Sequence, residues 1–512
     1  MKDNEQTTSR QADIRLTDSV DNLKQYSPLF RKQVPDVFVH FVSGFLRRLR
    51  SIIGIEFRLD IPQNISIMDD SIWSIFPKLD YLIKRGIVAG YHESRGTFPD
   101  EPRPFGAQVN LAGVDSDQRV GMLGFGRSLF SQAEAWGPAF GEGIERWCSE
   151  NFYPKQEDAQ ILTTEQIFKQ TGLDLKKIPS MSRVSISDTK VDKGHSHHRH
   201  RIENDTPFVC VKTEELVSGK QQFVPLQFFS FEHCRRLVLK GKEPSIHPLV
   251  TTGSAAGRSL EEATLGAILE IIERDAFILY WLRKITPKRI DLNTLKNKEL
   301  VAMIRDLEQR YHLEACFMHL PTDFPVHIVV CALIDRTGKG VAVTLDGSAH
   351  MDIEVAIEKT FTHTASYRGA VRRRYSTMGL DPFTIKPSEL KLKSRAIWWY
   401  PPERLSELDF FIEGKEIACP AAYDAQSYGQ QIEKLLSHCA SKGYPVYRQN
   451  IIPPDIKKAI ATDVVWVKIP QLSPLYLEEW ERLEEGDRLS SIPKELGLEP
   501  RARLNTTPHP YS

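Results

Sequence analysis

The chain has 512 residues, 67 Lys+Arg against 67 Asp+Glu and a hydrophobic content of 41%. That length holds two to four domains or one large composite fold, and a formal net charge of zero gives no global reason to expect nucleic acid or an anionic membrane as partner. The seven cysteines are odd in number and form no CxxC pair, the N-terminus lacks an apolar signal core, and no run of about 18 apolar residues occurs, which together predict a cytoplasmic protein with reduced thiols and no membrane span.

In chain order, residues 1–30 are polar, and Pro35–Gly54 reads as an amphipathic helix exposing Arg47, Arg48 and Arg50. It is expected to pack on its own domain rather than on a lipid surface. Residues 1–74 are taken as an N-terminal extension and 75–512 as the main domain. Within the latter, strands and helices alternate, which predicts an α/β (α+β) fold with mixed sheets. "VGMLGFGRSLF" is strand-like with a Gly turn, and "AEAWGPAFGEGIERWCSENF" follows as a helix. Residues 183–206 form a polar loop, in which His195, His197, His198 and His200 are expected to be solvated, with Arg199 and Arg201 opposing a cation. A second Gly turn leads into "LEEATLGAILEIIERDAFIL" (260–279). The strands "HIVVCALID" and "GVAVTLDGSAH" come next, then a third helix, "DIEVAIEKTFTHTASYRGAVRRRY", and finally "DVVWVKIPQLSPLYLEEW" before a polar tail.

The informative feature is carboxylates on apolar helices. At about 100° per residue, Glu273 lies about 20° around its helix from Glu262, and Glu270 about 80°. Glu142 and Glu145 lie about 60° apart on the earlier helix. Both sets sit among Ala, Ile, Leu, Phe and Trp, where an isolated carboxylate is costly and must be paired or bind a cation. Internal pairs to Arg146 and Arg274 would explain one ExxER. Two copies, each after a Gly turn, supply more acids than two arginines can pair. Hard divalent ions such as Mg²⁺ prefer oxygen ligands and share them with phosphates. Arg146, Arg274 and Arg368 then become candidates for phosphate, which guanidinium matches bidentately. No GK is followed by Ser or Thr, so the residues suggest a Mg-nucleotide site without a P-loop, built from two or three helices.

At these residues the chain resembles the YcaO family, through "GEGIERW" (141–147), "AAGRSLEEATLGAILEIIERDA" (255–276) and "AHMDIEVAI" (349–357), with "LIKRGIVAG" (82–90) and "VKIPQLSPLY" (467–476) as further matching segments. The resemblance implies a YcaO-type fold carrying an ATP site between its sheets and helices. It implies that Glu142, Glu145, Glu270 and Glu273 hold Mg²⁺ and that Arg146, Ser254, Arg258, Glu262, Arg274 and Arg368 line the ATP. It implies ATP-dependent activation of a peptide amide, closing Cys, Ser or Thr of a ribosomal precursor peptide to thiazoline or oxazoline. The C-terminal "NTTPHPYS" resembles the Pro-rich tail that reaches the active site in azoline-forming members, which nominates Pro510 and Ser512 as catalytic. The expected partners are the precursor peptide, a leader-binding subunit resembling ubiquitin-activating enzymes and a flavin-dependent azoline dehydrogenase, with a homodimer left open. Departures from the family pattern are Pro138 for Ser, Arg258 for Asn after AAG, and His363 and Ser366 for Glu and Gln of a TExxQ-like helix. Two alternatives stay open: another YcaO amide activation giving thioamide or amidine, and a non-catalytic scaffold subunit.

Overall fold

A computed structural model of the chain describes residues 74–96, 98–112, 123–181, 202–246, 248–424 and 427–511. The amphipathic Pro35–Gly54 segment and the His195–His200 tract lie outside the described residues. The described residues belong to a compact unit, Asp69–Ser512. Among them, no helix is long and apolar enough to cross a membrane. All seven cysteines are free thiols.

The architecture is mixed α/β with three main sheets. The first is antiparallel, in the order β1 (Val88–Arg95), β2 (Phe105–Leu111), β3 (Leu123–Ser128). Helix α1 (Gln132–Asn151) packs directly upon it. The alternation in "LGFGRS" explains how closely it does so. Strand residues two apart share a face, and Gly124 and Gly126 both turn to the helix. A Cβ on Gly126 would lie 1.8 Å from the Ala135 carbonyl oxygen, and one on Gly124 would lie 2.4 Å from the Gly143 nitrogen. Ser131 caps α1 by accepting from the Glu134 N–H, and the helix continues through Pro138.

The second sheet has six strands, and β4 (Ser254–Gly257) forms its edge, antiparallel to β6 (Asp463–Lys468). Successive side chains of a strand point to opposite faces. Ala256 turns to α1, its Cβ 3.9 Å from where one on Gly141 would be, and Ala255 turns to α2 (Leu260–Leu282), 3.6 Å from the equivalent point on Gly266. Small residues on both faces thus let two acid-bearing helices close on one strand. The 23 residues of α2 run about 35 Å through the largest apolar cluster, with Ile268, Ile272, Phe277 and Trp281 at 1% exposure or less. The third sheet has five strands and ends at β5 (Val343–His350), antiparallel to His327–Ile334 and covered by α3 (Ile353–Met378).

The C-terminal tail is part of the core rather than a frayed end. Trp281 and Trp399 donate their indole N–H groups to the carbonyls of Thr507 (3.0 Å) and Pro508 (3.1 Å). His509 is fully buried, its Nε2 2.9 Å from the Tyr476 carbonyl oxygen, and Tyr511 bridges to Leu345 of β5. Proline restricts this extended course in advance, so little ordering entropy remains to be lost.

The glycine seat of α1 is directly testable. Gly126→Ala should lower the unfolding free energy by about 1–3 kcal/mol through forced separation of β3 and α1, read by denaturant unfolding.

Candidate active site

The two ExxER helices meet at the start of β4. From α1, Glu142 accepts from the Phe125 N–H (2.5 Å) and pairs with Arg146, which also donates to the Leu123 carbonyl (2.8 Å). From α2, Glu270 accepts from the Gly253 N–H (2.7 Å) and pairs with Arg274 (2.7 Å), whose Nη1 donates to Thr252 (2.8 Å). Each arginine therefore takes the glutamate four residues before it. The other two acids are left with hydroxyl partners: Glu145 bonds Ser254, and Glu273 accepts from the Tyr511 hydroxyl.

Asp346 of β5 joins them. Its Oδ1 accepts from the Gly347 N–H (2.8 Å), and the Tyr511 hydroxyl reaches Asp346 as well as Glu273. Burial, then the charges of Glu270 and Glu142, holds Glu145 well above the ordinary carboxylate range. Burial raises Glu273 to about 7, with Asp346 and Glu270 adding to it against Tyr511 and Arg274. Burial likewise raises Asp346 to about 7, opposed by the Gly347 N–H and by Arg274. On the far side of the row, Lys468 donates to the Thr252 carbonyl (2.9 Å), and burial lowers its amine to about 7 against the attraction of Glu270.

This donor set fits a divalent cation shared with phosphate. Three partly buried acids, Glu145, Glu273 and Asp346, bond hydroxyl or backbone N–H groups and no described cation, and the Nε of Arg274 is buried without a described acceptor. Among the described residues, no three His, Cys, Asp or Glu side chains form a closed metal-binding group. Mg²⁺ rarely needs such a cage; it binds through one or two carboxylates plus phosphate and water oxygens.

The remaining expected residues are distributed differently. Arg258 and Glu262 pair at the exposed N-terminus of α2 (3.2 Å), where Tyr428 also reaches Glu262 (3.4 Å), about 12 Å along the axis from Glu270. Burial raises Glu262, but the Arg258 side chain and backbone N–H outweigh it and the carboxyl is lowered overall. Ser254 is buried, its Oγ 2.9 Å from Ser149, and serves Glu145 rather than open space. Arg368 is a correction. It has no exposed surface and donates to Glu101 (2.7 Å) and to the carbonyls of Leu333 and Val341. Five residues separate it from His363, about 140° around α3, so the helix cannot present both to one place. Ser366 is also committed, donating to the Thr362 carbonyl (2.5 Å). His363 faces Asp346, Nδ1 to Oδ2 3.7 Å. Pro510 is buried directly before Tyr511, and Ser512 lies outside the described residues.

Sequence reasoning missed Asp346, Tyr511, Lys468 and Arg127. Asp346 is the one acid of a mostly buried strand, a weaker form of the signal that exposed the glutamates. Arg127, at the end of β3, is a guanidinium with no hydrogen-bonded acceptor among the described residues; burial lowers its pKa against the nearby charge of Glu142.

The raised acids have a pH consequence. Unfolded, Glu273 and Asp346 ionise near 4.5 and 3.8; folded and metal-free, they keep their protons to about 7. The folded state binds more protons across that window, so this contribution to stability is present below it and is lost as pH rises through it. Unfolding in EDTA should show a fall that Glu273→Gln reduces and Mg²⁺ with ATP opposes.

The family description "YcaO cyclodehydratase, ATP- and Mg²⁺-binding" matches residues 126–473, more than half of the chain. An uncharacterised protein of Methanothermobacter thermautotrophicus is 29% identical over 228 residues, 43% of this chain and 55% of that protein, so the match spans about half of that relative. Among solved structures, a heterocyclase in complex with substrate and cofactor aligns with a TM-score of 0.65 at 17% identity over 86% of this chain and 57% of its own. YcaO from Methanopyrus kandleri bound with AMPPCP and Mg²⁺ aligns with a TM-score of 0.53 at 18% identity, over 81% and 95%. The structural likenesses show the α/β fold; the match across both ExxER helices, β5 and most of the acid row shows that the chain belongs to the YcaO family, whose cofactors are ATP and Mg²⁺.

Proposed function

We propose that this chain is an ATP- and Mg²⁺-dependent cyclodehydratase that activates backbone amides of a ribosomal precursor peptide and closes Cys, Ser or Thr residues to thiazoline or oxazoline. The observation that carries the reading is the row of partly buried acids contributed by α1, α2 and β5, touched by Tyr511 of the tail. Glu142, Glu145, Glu270 and Glu273 would hold Mg²⁺. That ion would supply charge neutralisation for phosphoryl oxygens, the largest obstacle to transfer between anionic groups.

The chemistry needs an amide oxygen converted to a leaving group. The substrate's thiol or hydroxyl adds to the preceding amide carbonyl. The resulting oxyanion takes the γ-phosphoryl of ATP and releases ADP. Loss of phosphate and of the amide proton then leaves the C=N bond of the ring. Arg146 and Arg274, held by Glu142 and Glu270, orient guanidinium protons at the acid row for phosphate. Arg127 takes the phosphate role that sequence alone gave to Arg368, because its guanidinium is not spent on a described acceptor. Arg258, Glu262 and Tyr428 stand where the distal part of a nucleotide would extend along α2. The buried PHPY segment sets the course of the tail up to Tyr511.

The peptide's leader would be bound by a separate subunit resembling ubiquitin-activating enzymes, and a flavin-dependent dehydrogenase would oxidise azolines to azoles. With precursor and partner present, the chain should release phosphate and the peptide should lose the mass of one water per ring. Glu273→Gln should abolish both while the fold is kept. A mass gain would indicate exchange of oxygen for sulfur, as in thioamide formation. Absence of ATP binding by the chain and its complex would point to a scaffold.

A further inference from the structure

Strand β5 carries an acid where its neighbours are apolar or small. Leu345, Gly347 and Ser348 are closed off, whereas the Asp346 side chain keeps 19% of its surface towards the acid row. Oδ1 is occupied by the Gly347 N–H, and Oδ2 faces His363 at 3.7 Å. The Tyr511 hydroxyl lies within bonding reach of both Asp346 and Glu273, which places the two carboxyl groups around one oxygen. A phenol has one proton and can satisfy one of them at a time. Two carboxylates in such a position repel each other unless a proton or a cation stands with them.

The local cations do not fill that need. Arg274 attracts both acids but is hydrogen-bonded to Glu270 and Thr252, and Arg127 attracts Asp346 without a described hydrogen bond to it. The row from Glu142 through Glu145, Glu270 and Glu273 therefore does not end on α2. It continues onto β5, and the tail ties that strand in place through the Tyr511–Leu345 bridge.

We propose that Asp346 is a fifth carboxylate of the magnesium–nucleotide site, contributed by β5 and acting with Glu273 as a pair of oxygen ligands that Tyr511 holds together. The inference rests on the proposed ATP site and extends it to a third structural element. A merely structural role would use only Oδ1 and the Gly347 N–H. Asparagine can accept that bond equally well, so the substitution to Asn removes the charge while leaving the contact with the Gly347 N–H intact.

The test uses the full chain with Mn²⁺ in place of Mg²⁺ and a non-hydrolysable ATP analogue, with bound Mn²⁺ followed by electron paramagnetic resonance. Asp346→Asn should weaken Mn²⁺ binding about tenfold or more, with an unchanged circular dichroism spectrum. Adding His363→Glu to that variant should recover much of the loss, because it returns a carboxylate to the adjoining position. Tyr511→Phe should weaken binding by less, since both acids remain. If Asp346→Asn does not fold, Asp346→Glu carries the test, and a displaced carboxylate should still change the Mn²⁺ affinity. Wild-type affinity in Asp346→Asn, or in Asp346→Glu where Asn does not fold, overturns the assignment of Asp346 alone. Failure of the wild-type chain to bind Mn²⁺ with the nucleotide analogue overturns the ATP-site reading and this inference together.

Discussion

Carboxylates crowded together in a partly buried row without enough positive charge are the constraint around which this protein is organised. Glu145, Glu273 and Asp346 come from two helices and a strand, and among the described residues their hydrogen-bond partners are hydroxyl and backbone N–H groups rather than cations. Protonation would answer that constraint in the metal-free chain, in keeping with the burial that raises these acids. A divalent ion carrying its own phosphate ligands answers it better, because hard oxygen ligands can stay ionised around it. The scaffold brings the acids together regardless: Gly124 and Gly126 admit α1, and Ala255 and Ala256 let β4 lie between α1 and α2. Packing of this density resists relaxation, so the acids, which keep only part of their surface open, stay close to one another.

The tail extends the same logic. It is held by two tryptophan indoles, a buried histidine and a strand bridge, and only then does Tyr511 arrive at Glu273. A terminal segment fixed in this way couples the end of the chain to the acid row. The coupling explains why a proline-rich sequence near the terminus carries information: the prolines set the route, and the aromatic residue makes the contact.

Much of this was legible in the sequence. Two ExxER segments on apolar helices, each after a glycine turn, contain the conflict between burial and charge, and periodicity alone places their acids on neighbouring faces. The strand–helix order was legible for the same reason, since alternation in "LGFGRS" and the long apolar run of α2 are local signals. Pairings across the fold were not. Arg368 shares a helix with His363, but nothing local says that Glu101, 267 residues away in sequence, takes its guanidinium. Asp346 and Tyr511 were hidden for the converse reason: each stands in an ordinary strand or tail and gains its meaning from the other. His363 looked like the loss of an acid from α3, while the structure places a carboxylate 3.7 Å away on β5.

The most direct measurement is a crystal structure of the chain with Mn²⁺ and a non-hydrolysable ATP analogue, using the anomalous signal to locate the metal. The account predicts manganese peaks within coordination distance of the Glu145, Glu270 or Glu273 carboxylates, with phosphate oxygens completing the shell and Arg274 beside them. Nucleotide bound elsewhere, with the Arg274–Glu270 pair and the Tyr511–Glu273 bond unchanged and no peak at the acid row, would contradict it.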